Sequence, residues 1–584
     1  MKVERGASQI LFGLLPGQTA DLEGRIWRVS RWVDPVATAL DQDSVRQSLI
    51  TALIPWERQG TDDGLTAQLR ARAPVEIMEL NMDRGVLVEP FPQQWRCKTC
   101  GRISRSRTER CPCGGSSRAQ MQFVTYHTCG ASGVPMLPRG CPRHSGALAV
   151  RLPGTATARD LRFLCPVCNT TLSRGFPFQA CGCGNGAMSL TVHRAAVVFS
   201  PRYAVLVNPP DPAVAAHLRA GGGGARALEW VLGGMESDDP TAGRQTMAGL
   251  LETLRLSGVP DEIAADLARQ AAEKGGVADD GGGPAVAMPD ATRETAYDEA
   301  LSLASAVTGG RTRVSDMVAL TTPPLRTLYE GAYGEAMRDV HLESVDLLAN
   351  FPVATLAFGY TRGDMAPGAA RLVPFRERGR VRAYGSLTKT EALLFRLDPL
   401  AVHRHLMALG HLLPPASTAR DARIALLERM DIPSPTQEGY QRLGGDLLTL
   451  IHSYAHRTVR RLSAYAGIER DGLAEYLLPH HLSFVVYAAS RGDFVLGGLQ
   501  AVFETSLDRF LGDFLAGEWR CPLDPGCRSG GGACMACLHL GEPSCRWFNR
   551  FLDRSSLFGE RGFLDPDTVL RWTTPSWSVA CWST

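Results

Sequence analysis

The sequence predicts a multidomain α+β fold: small cysteine-pinned ribbons near the N-terminus, a helical and mixed middle, and a cysteine-rich C-terminal domain. Three observations predict it. The chain has 584 residues, more than one hydrophobic core serves. Its 16 cysteines fall almost entirely into two groups, one on each side of a long cysteine-free middle. Stretches that alternate at period two lie apart from stretches with a 3.6-residue period.

The elements follow in order. Residues 1–94 form a lead domain, with strand-like alternation at Ile26–Trp32 and Val75–Leu80. Residues 95–195 hold ten cysteines among many Gly and Arg, the texture of tandem β-ribbons with little core. Residues 196–350 open on an apolar strand, Ala195–Phe199, and become mainly helical from 291. GGGGAR at 221–226 and DDGGGP at 279–284 read as loops around a helical stretch near Met247–Ala272. Residues 351–443 mix strands (Val353–Phe358, Ala392–Leu397) with a helix from Leu400. Residues 444–584 begin with the helix Gly444–Tyr465, whose Leu447, Leu448, Ile451, Tyr454, Ala455 and Val459 make one apolar stripe. The strand Leu482–Ala488 and the second cysteine group follow.

Composition excludes little. Apolar content of 44 % and charged content of 21 % are ordinary, and the formal charge is +2. Only four of the 62 basic residues are lysine (Lys2, Lys98, Lys274, Lys389), so the positive charge is carried by arginine. Arginine suits bidentate phosphate contacts, although GC-rich coding favours it too. No long apolar run follows MKVERGASQI, and no stretch reaches membrane-spanning length, so a cytoplasmic chain without a membrane partner is expected.

In a reducing compartment closely spaced cysteines mean metal or redox chemistry rather than disulfides. Cys97 and Cys100 are followed, across a loop of ten residues, by Cys111 and Cys113; Cys165 and Cys168 are followed, across a loop of twelve, by Cys181 and Cys183. Each CxxC and each CxC turn offers two thiolates, and two turns close a tetrahedral shell around zinc. The sequence therefore reads as the same four-sulfur device twice, with an iron–sulfur cluster or a thioredoxin-type pair as the competing readings. Between the two sets, His127, Cys129, Cys141 and His144 form a third, mixed set. At the C-terminus Cys521, Cys527, Cys534, Cys537 and Cys545 offer five candidates for four positions, and Cys581 stands alone. Two to four zinc ions per chain are expected.

Other chemistry is sparse. There is no GxxxxGK[ST] phosphate loop, HExxH or GxSxG, so no catalytic residues are assigned and no ATPase is expected. His452 and His456, four apart on one helix, have metal-ligand spacing, but read first as helix-packing residues, with Asp471 and Glu475 as surface charge. Nucleic acid is the natural substrate class. Arg102, Arg105, Arg107 and Arg110 crowd a loop with almost no apolar residue, and Ser104 and Ser106 can add hydrogen bonds to phosphate. A second basic group is His456, Arg457, Arg460 and Arg461.

The C-terminal run carries a resemblance. Trp519-Arg520-Cys521, Cys527, Ala533-Cys534-Met535-Ala536-Cys537-Leu538, Glu542-Pro543-Ser544-Cys545 and Asn549–Arg554 resemble the MrfA-like zinc-binding domain of certain DNA helicases and of stand-alone helicase partners. Ile451-His452-Ser453-Tyr454-Ala455-His456 resembles that family's LHxxxH helix, and Gly497-Gly498-Leu499 its glycine turn. Ser8–Leu11, Leu15-Pro16-Gly17, Asp21-Leu22 and Phe358–Arg362 resemble segments of the DrmB-like family of the DISARM anti-phage system. The resemblance implies a non-catalytic DNA-binding scaffold for a superfamily 2 helicase of the DrmA-like kind. The alternatives are a metal-dependent nuclease built on His452 and His456, and a protein–protein adaptor that binds no DNA.

Overall fold

A computed structural model of the chain describes residues 6–564 except 39, 153–159, 242–244, 247–249, 252–253, 256–258, 274–276, 279–285, 365, 435–438, 490–496, 517–519, 542–543, 546 and 560. The expectations for 279–284, Trp519, Glu542, Pro543 and Cys581 lie outside the described residues. The fold is multidomain and mixed α+β, with cysteine and histidine clusters towards both ends. By contacts the chain forms two units, residues 1–209 with 354–387, and residues 210–353 with 388–584.

In the first unit, the alternating segment becomes the strand Arg25–Trp32, central in an antiparallel sheet between Thr19–Leu22 and Val86–Pro90. Its inward residues Val29 and Trp32 pack with Leu14, Leu15, Val86 and Val88. The helix Gln42–Glu57 starts where the Asp41 carboxylate accepts from the Ser44 amide. Val45, Leu49, Leu53 and Trp56 on its buried face meet Val75, Ile77, Leu206 and Leu356. The strand Val75–Glu79 runs parallel to Val381–Gly385.

Residues 95–192 add three small sheets, each of three strands two to four residues long. Two small clusters serve this region as apolar cores: Met121, Phe123, Val150, Leu161 and Phe163 with partly buried Ile103, Leu137, Leu148, Phe176 and Leu190 around them, and Phe91, Val124 and Val198. So little burial does not offset the ordering of so much chain, which makes this region dependent on its metal clusters. Ala195–Phe199 is not a strand: Ala196–Val198 forms a single 3₁₀ turn, and the strand is Ser200–Val207.

The second unit is built on the helix Arg442–Ala466, ended by Gly467 in the left-handed region. Leu447, Leu448, Ile451, Tyr454, Ala455 and Val459 are all buried, as the stripe predicts. They face an antiparallel ladder in which Ser483–Ala488 pairs with Leu473–Leu478 on one side and with Ala392–Arg396 on the other. Two expectations are corrected here. Residues 342–350 are strand, the start of Leu342–Thr361, because their apolar residues are buried by sheet neighbours rather than along a helix face. The GGGGAR run is not a loop, since the helix Gly223–Leu232 begins inside it. At Gly224 a Cβ would stand 2.6 Å from the Tyr297 side chain, so the small residue permits close packing.

Candidate metal centres and nucleic-acid interface

Among the described residues, five groups of four side chains bring their donor atoms within 4.8 Å of one another. The first is the expected one, Cys97, Cys100, Cys111 and Cys113. The Cys97–Cys113 and Cys100–Cys111 sulfurs are 3.6 and 3.4 Å apart. A disulfide needs about 2.05 Å, whereas a tetrahedral zinc–sulfur shell puts sulfurs about 3.8 Å apart. The spacing is that of a metal shell. Gly101 makes the turn at a φ of +73°, and its missing Cβ lets the Val150 carbonyl approach to 2.6 Å of where that atom would be. The Cys100 amide holds the Cys97 thiol down, to about 6, while burial pushes Cys100 up to about 12 and Cys111 up as well.

The next two groups differ from the expected pairing. Cys165 and Cys168 join Cys141 and His144, and Cys181 and Cys183 join His127 and Cys129. The sets are therefore nested, the inner pair of turns enclosed by the outer pair, and each is three sulfurs and one imidazole. The tertiary fold decides this: the strand Phe123–Tyr126 pairs with Ser189–Val192, bringing His127 and Cys129 to Cys181 and Cys183. Likewise Ala149–Arg151 pairs with Arg162–Leu164, bringing the Cys141 turn to the Cys165 turn. His144 Nδ1 lies 3.4 Å from Cys141 Sγ and 3.5 Å from Cys165 Sγ, and His127 Nδ1 lies 3.5 Å from Cys183 Sγ. About 3.5 Å is the nitrogen–sulfur edge of a zinc tetrahedron. His127 Nε2 faces the Asn185 carbonyl at 3.0 Å. As donor there, it leaves the Nδ1 lone pair for a metal.

At the C-terminus Cys521, Cys527, Cys534 and Cys537 form the fourth group, so Cys545 is the surplus cysteine. The Cys521–Cys534, Cys527–Cys537 and Cys534–Cys537 sulfurs are 3.5, 3.7 and 3.7 Å apart. These four groups fit zinc in donor type and spacing. Cys545 instead meets His452, His456 and Glu475 in a fifth group, with every member buried. This corrects two readings: the histidines do not merely flank a packing contact, and Glu475 is not surface charge. Asp471 is exposed, as expected. An acid within the apolar strand LAEYLL was the overlooked signal for Glu475.

The basic loop 101–110 hangs between the two halves of the first group. Arg105, Arg107 and Arg110 are exposed, and Arg102 is half-buried. The serines take a different part from the one expected: Ser104 donates to the Ser106 carbonyl and to Glu109, and the Ser106 and Thr108 hydroxyls pair, so they shape the loop. The Arg107 guanidinium lies 6.0 Å from the centre of the Trp95 ring. Arg105 and Arg107 line a groove of about 250 Å³ with Arg25, Trp27, Trp95 and Gln120.

The second basic group is not a solvated helix face. His456 and Arg457 are buried, and Arg460 donates to the carbonyls of Met535, Ala536 and His539, tying the fourth cysteine group to the helix. Arg457, Arg460, Arg461, Arg470, Arg520 and Arg554 do converge on a cavity of about 260 Å³ beside that group.

A family model described as a domain of unknown function, DUF8724, matches residues 6–197, which take in the lead sheet and the first three metal groups. No curated protein matches the chain. Among the described residues no helix is long and apolar enough to cross a membrane.

Proposed function

We propose that this protein is a non-catalytic, zinc-organised DNA-binding scaffold that serves a superfamily 2 helicase in anti-phage defence. One observation carries the DNA part: Arg105, Arg107 and Arg110 are exposed on a loop whose two ends are held by one metal group. Such a loop loses less freedom on binding than a basic tail does. The guanidinium forks take phosphate oxygens, and Arg105 and Arg107 line the groove that Trp27 and Trp95 also border. Nothing in the loop other than arginine is suited to reading a base pair, so the grip is expected on the backbone. The helicase part rests on the resemblance of residues 444–558 to the MrfA-like zinc-binding domain. The burial of His452, His456 and Glu475 speaks against the nuclease reading, because a hydrolytic metal keeps an open position for water and substrate.

Charge reversal at Arg105 and Arg107 tests the reading, with DNA affinity and helicase co-purification measured on the same variant. DNA affinity is expected to fall for unrelated sequences alike, while zinc content and the helicase complex persist. Unchanged DNA binding with loss of the helicase would make the loop a protein-docking element and the chain an adaptor.

A further inference from the structure

We propose that His452, His456, Glu475 and Cys545 hold a fifth zinc ion, in a closed site that clamps three segments of the second unit together. The donors come from three places. His452 and His456 stand one turn apart on the helix Arg442–Ala466, Glu475 lies on the strand Leu473–Leu478, and Cys545 lies in the C-terminal cysteine segment. All four are buried, with exposures of 0, 0, 1 and 3 %.

The distances describe a shell. Glu475 Oε1 lies 3.0 Å from His452 Nε2 and 3.3 Å from His456 Nε2, and Cys545 Sγ lies 3.3 Å from His452 Nε2. Donors around zinc stand about 3.4 to 3.5 Å apart when nitrogen meets oxygen or sulfur. The tautomer agrees. His456 Nδ1 donates to the Leu538 carbonyl at 2.9 Å, which leaves its Nε2 lone pair aimed at the Glu475 carboxylate. Two electron-rich atoms face each other there, and His452 Nε2 faces both a carboxylate and a sulfur. One proton on that nitrogen cannot serve both acceptors along a line, whereas a cation at the centre serves all four.

Two backbone hydrogen bonds support the group, while His452 Nδ1 and Glu475 Oε2 are buried without a hydrogen-bond partner. The Asn549 amide donates to Cys545 Sγ at 3.4 Å, and the Glu475 amide donates to the Ser544 carbonyl at 3.1 Å, holding strand and cysteine segment in register. Two imidazoles, one carboxylate and one thiolate are zinc donors, and no face of the group reaches solvent, so the role is structural.

The test is the zinc count of the intact protein, by native mass spectrometry alongside elemental analysis. Five zinc ions per chain are expected, and four in each of the variants Glu475→Gln and Cys545→Ser. A wild-type count of four, or an unchanged count in a folded variant, overturns the proposal. Should neither variant fold, the wild-type count decides alone. DNA binding by the loop 101–110 is read separately and does not bear on the outcome.

Discussion

Replacing Arg105 and Arg107 by glutamine removes charge without adding any, and its effect follows from counting. Three exposed arginines stand on the loop, and the carboxylate of Glu109, its only acid, accepts from Ser104, while the Glu109 carbonyl accepts from Arg118. If each exposed arginine neutralises one phosphate of a duplex, the logarithm of affinity falls with the logarithm of salt at a slope of about −2.7. The double variant keeps one contact, so its slope is about −0.9. At about 0.15 M salt each lost contact weakens binding roughly fivefold, and two weaken it roughly thirtyfold. Fluorescence anisotropy on two unrelated duplexes, between about 50 and 200 mM salt, measures slope and affinity together. A slope unchanged by the double replacement refutes the phosphate grip. A loss confined to one sequence refutes the claim that the loop ignores the bases.

Three further outcomes are expected. Cadmium-113 resonance of the cadmium-exchanged protein should show two four-sulfur environments and two with three sulfurs and one nitrogen, besides the two-nitrogen, one-oxygen, one-sulfur environment of the proposed fifth site; pairing by sequence proximity would replace the first four by three four-sulfur environments and one with two sulfurs and two nitrogens. His480 donates from Nδ1 to Glu299 at 2.6 Å; burial lowers its pKa, but the Glu299 charge outweighs burial and raises it above the ordinary 6.5. That contribution is complete below pH 6.5 and fades as pH rises through the raised value, so Glu299→Gln should flatten the loss of thermal stability on the alkaline side of 6.5, and an unchanged pH profile would contradict the pairing. Gly101→Ala forces a Cβ to within 2.6 Å of the Val150 carbonyl at a φ of +73°, so it should destabilise the first ribbon by about 1–3 kcal/mol, read as faster zinc release to a chelator. Wild-type release would show that the turn tolerates a side chain.

What the sequence disclosed, and what it hid, divides along the range of the forces involved. The strand Arg25–Trp32 and the helix Arg442–Ala466 were legible because one face of each is buried and the period shows. The metal turns were legible because two thiolates from one bend is a local property. Their partnership was not: only twelve residues separate Cys168 from Cys181, yet Cys168 is joined to Cys141 and His144 by strand pairing that no spacing rule contains. Residues 342–350 read as helix because Leu342, Val345 and Leu348 recur every three residues, a spacing a strand buried on both faces also tolerates. Glu475 was hidden because a charge is placed outside by default, and its reason for being inside lies at Cys545, seventy residues away in the chain.

Nesting also orders the assembly of the two three-sulfur groups. Twenty residues separate His144 from Cys165, and 51 separate Cys129 from Cys181. Loop-closure cost grows with the logarithm of length, so the inner group is the cheaper to close first. Once it is closed, the path from Cys129 to Cys181 runs through the 11 residues up to Cys141, across the metal, and through the 12 residues after Cys168. That shortcut lowers the closure cost of the outer group by about 0.7 kcal/mol. The outer group then depends on the inner one, and a defect at Cys141 or His144 weakens His127 and Cys129 as well. The first group closes on its own short loop, Cys97 to Cys113. At the start of the arginine loop the Gly101 carbonyl accepts from the Val150 amide and the Ile103 amide donates to the Leu148 carbonyl, beside the inner group, so a defect at Cys141 or His144 is expected to loosen the arginine loop while its four-sulfur shell stays closed.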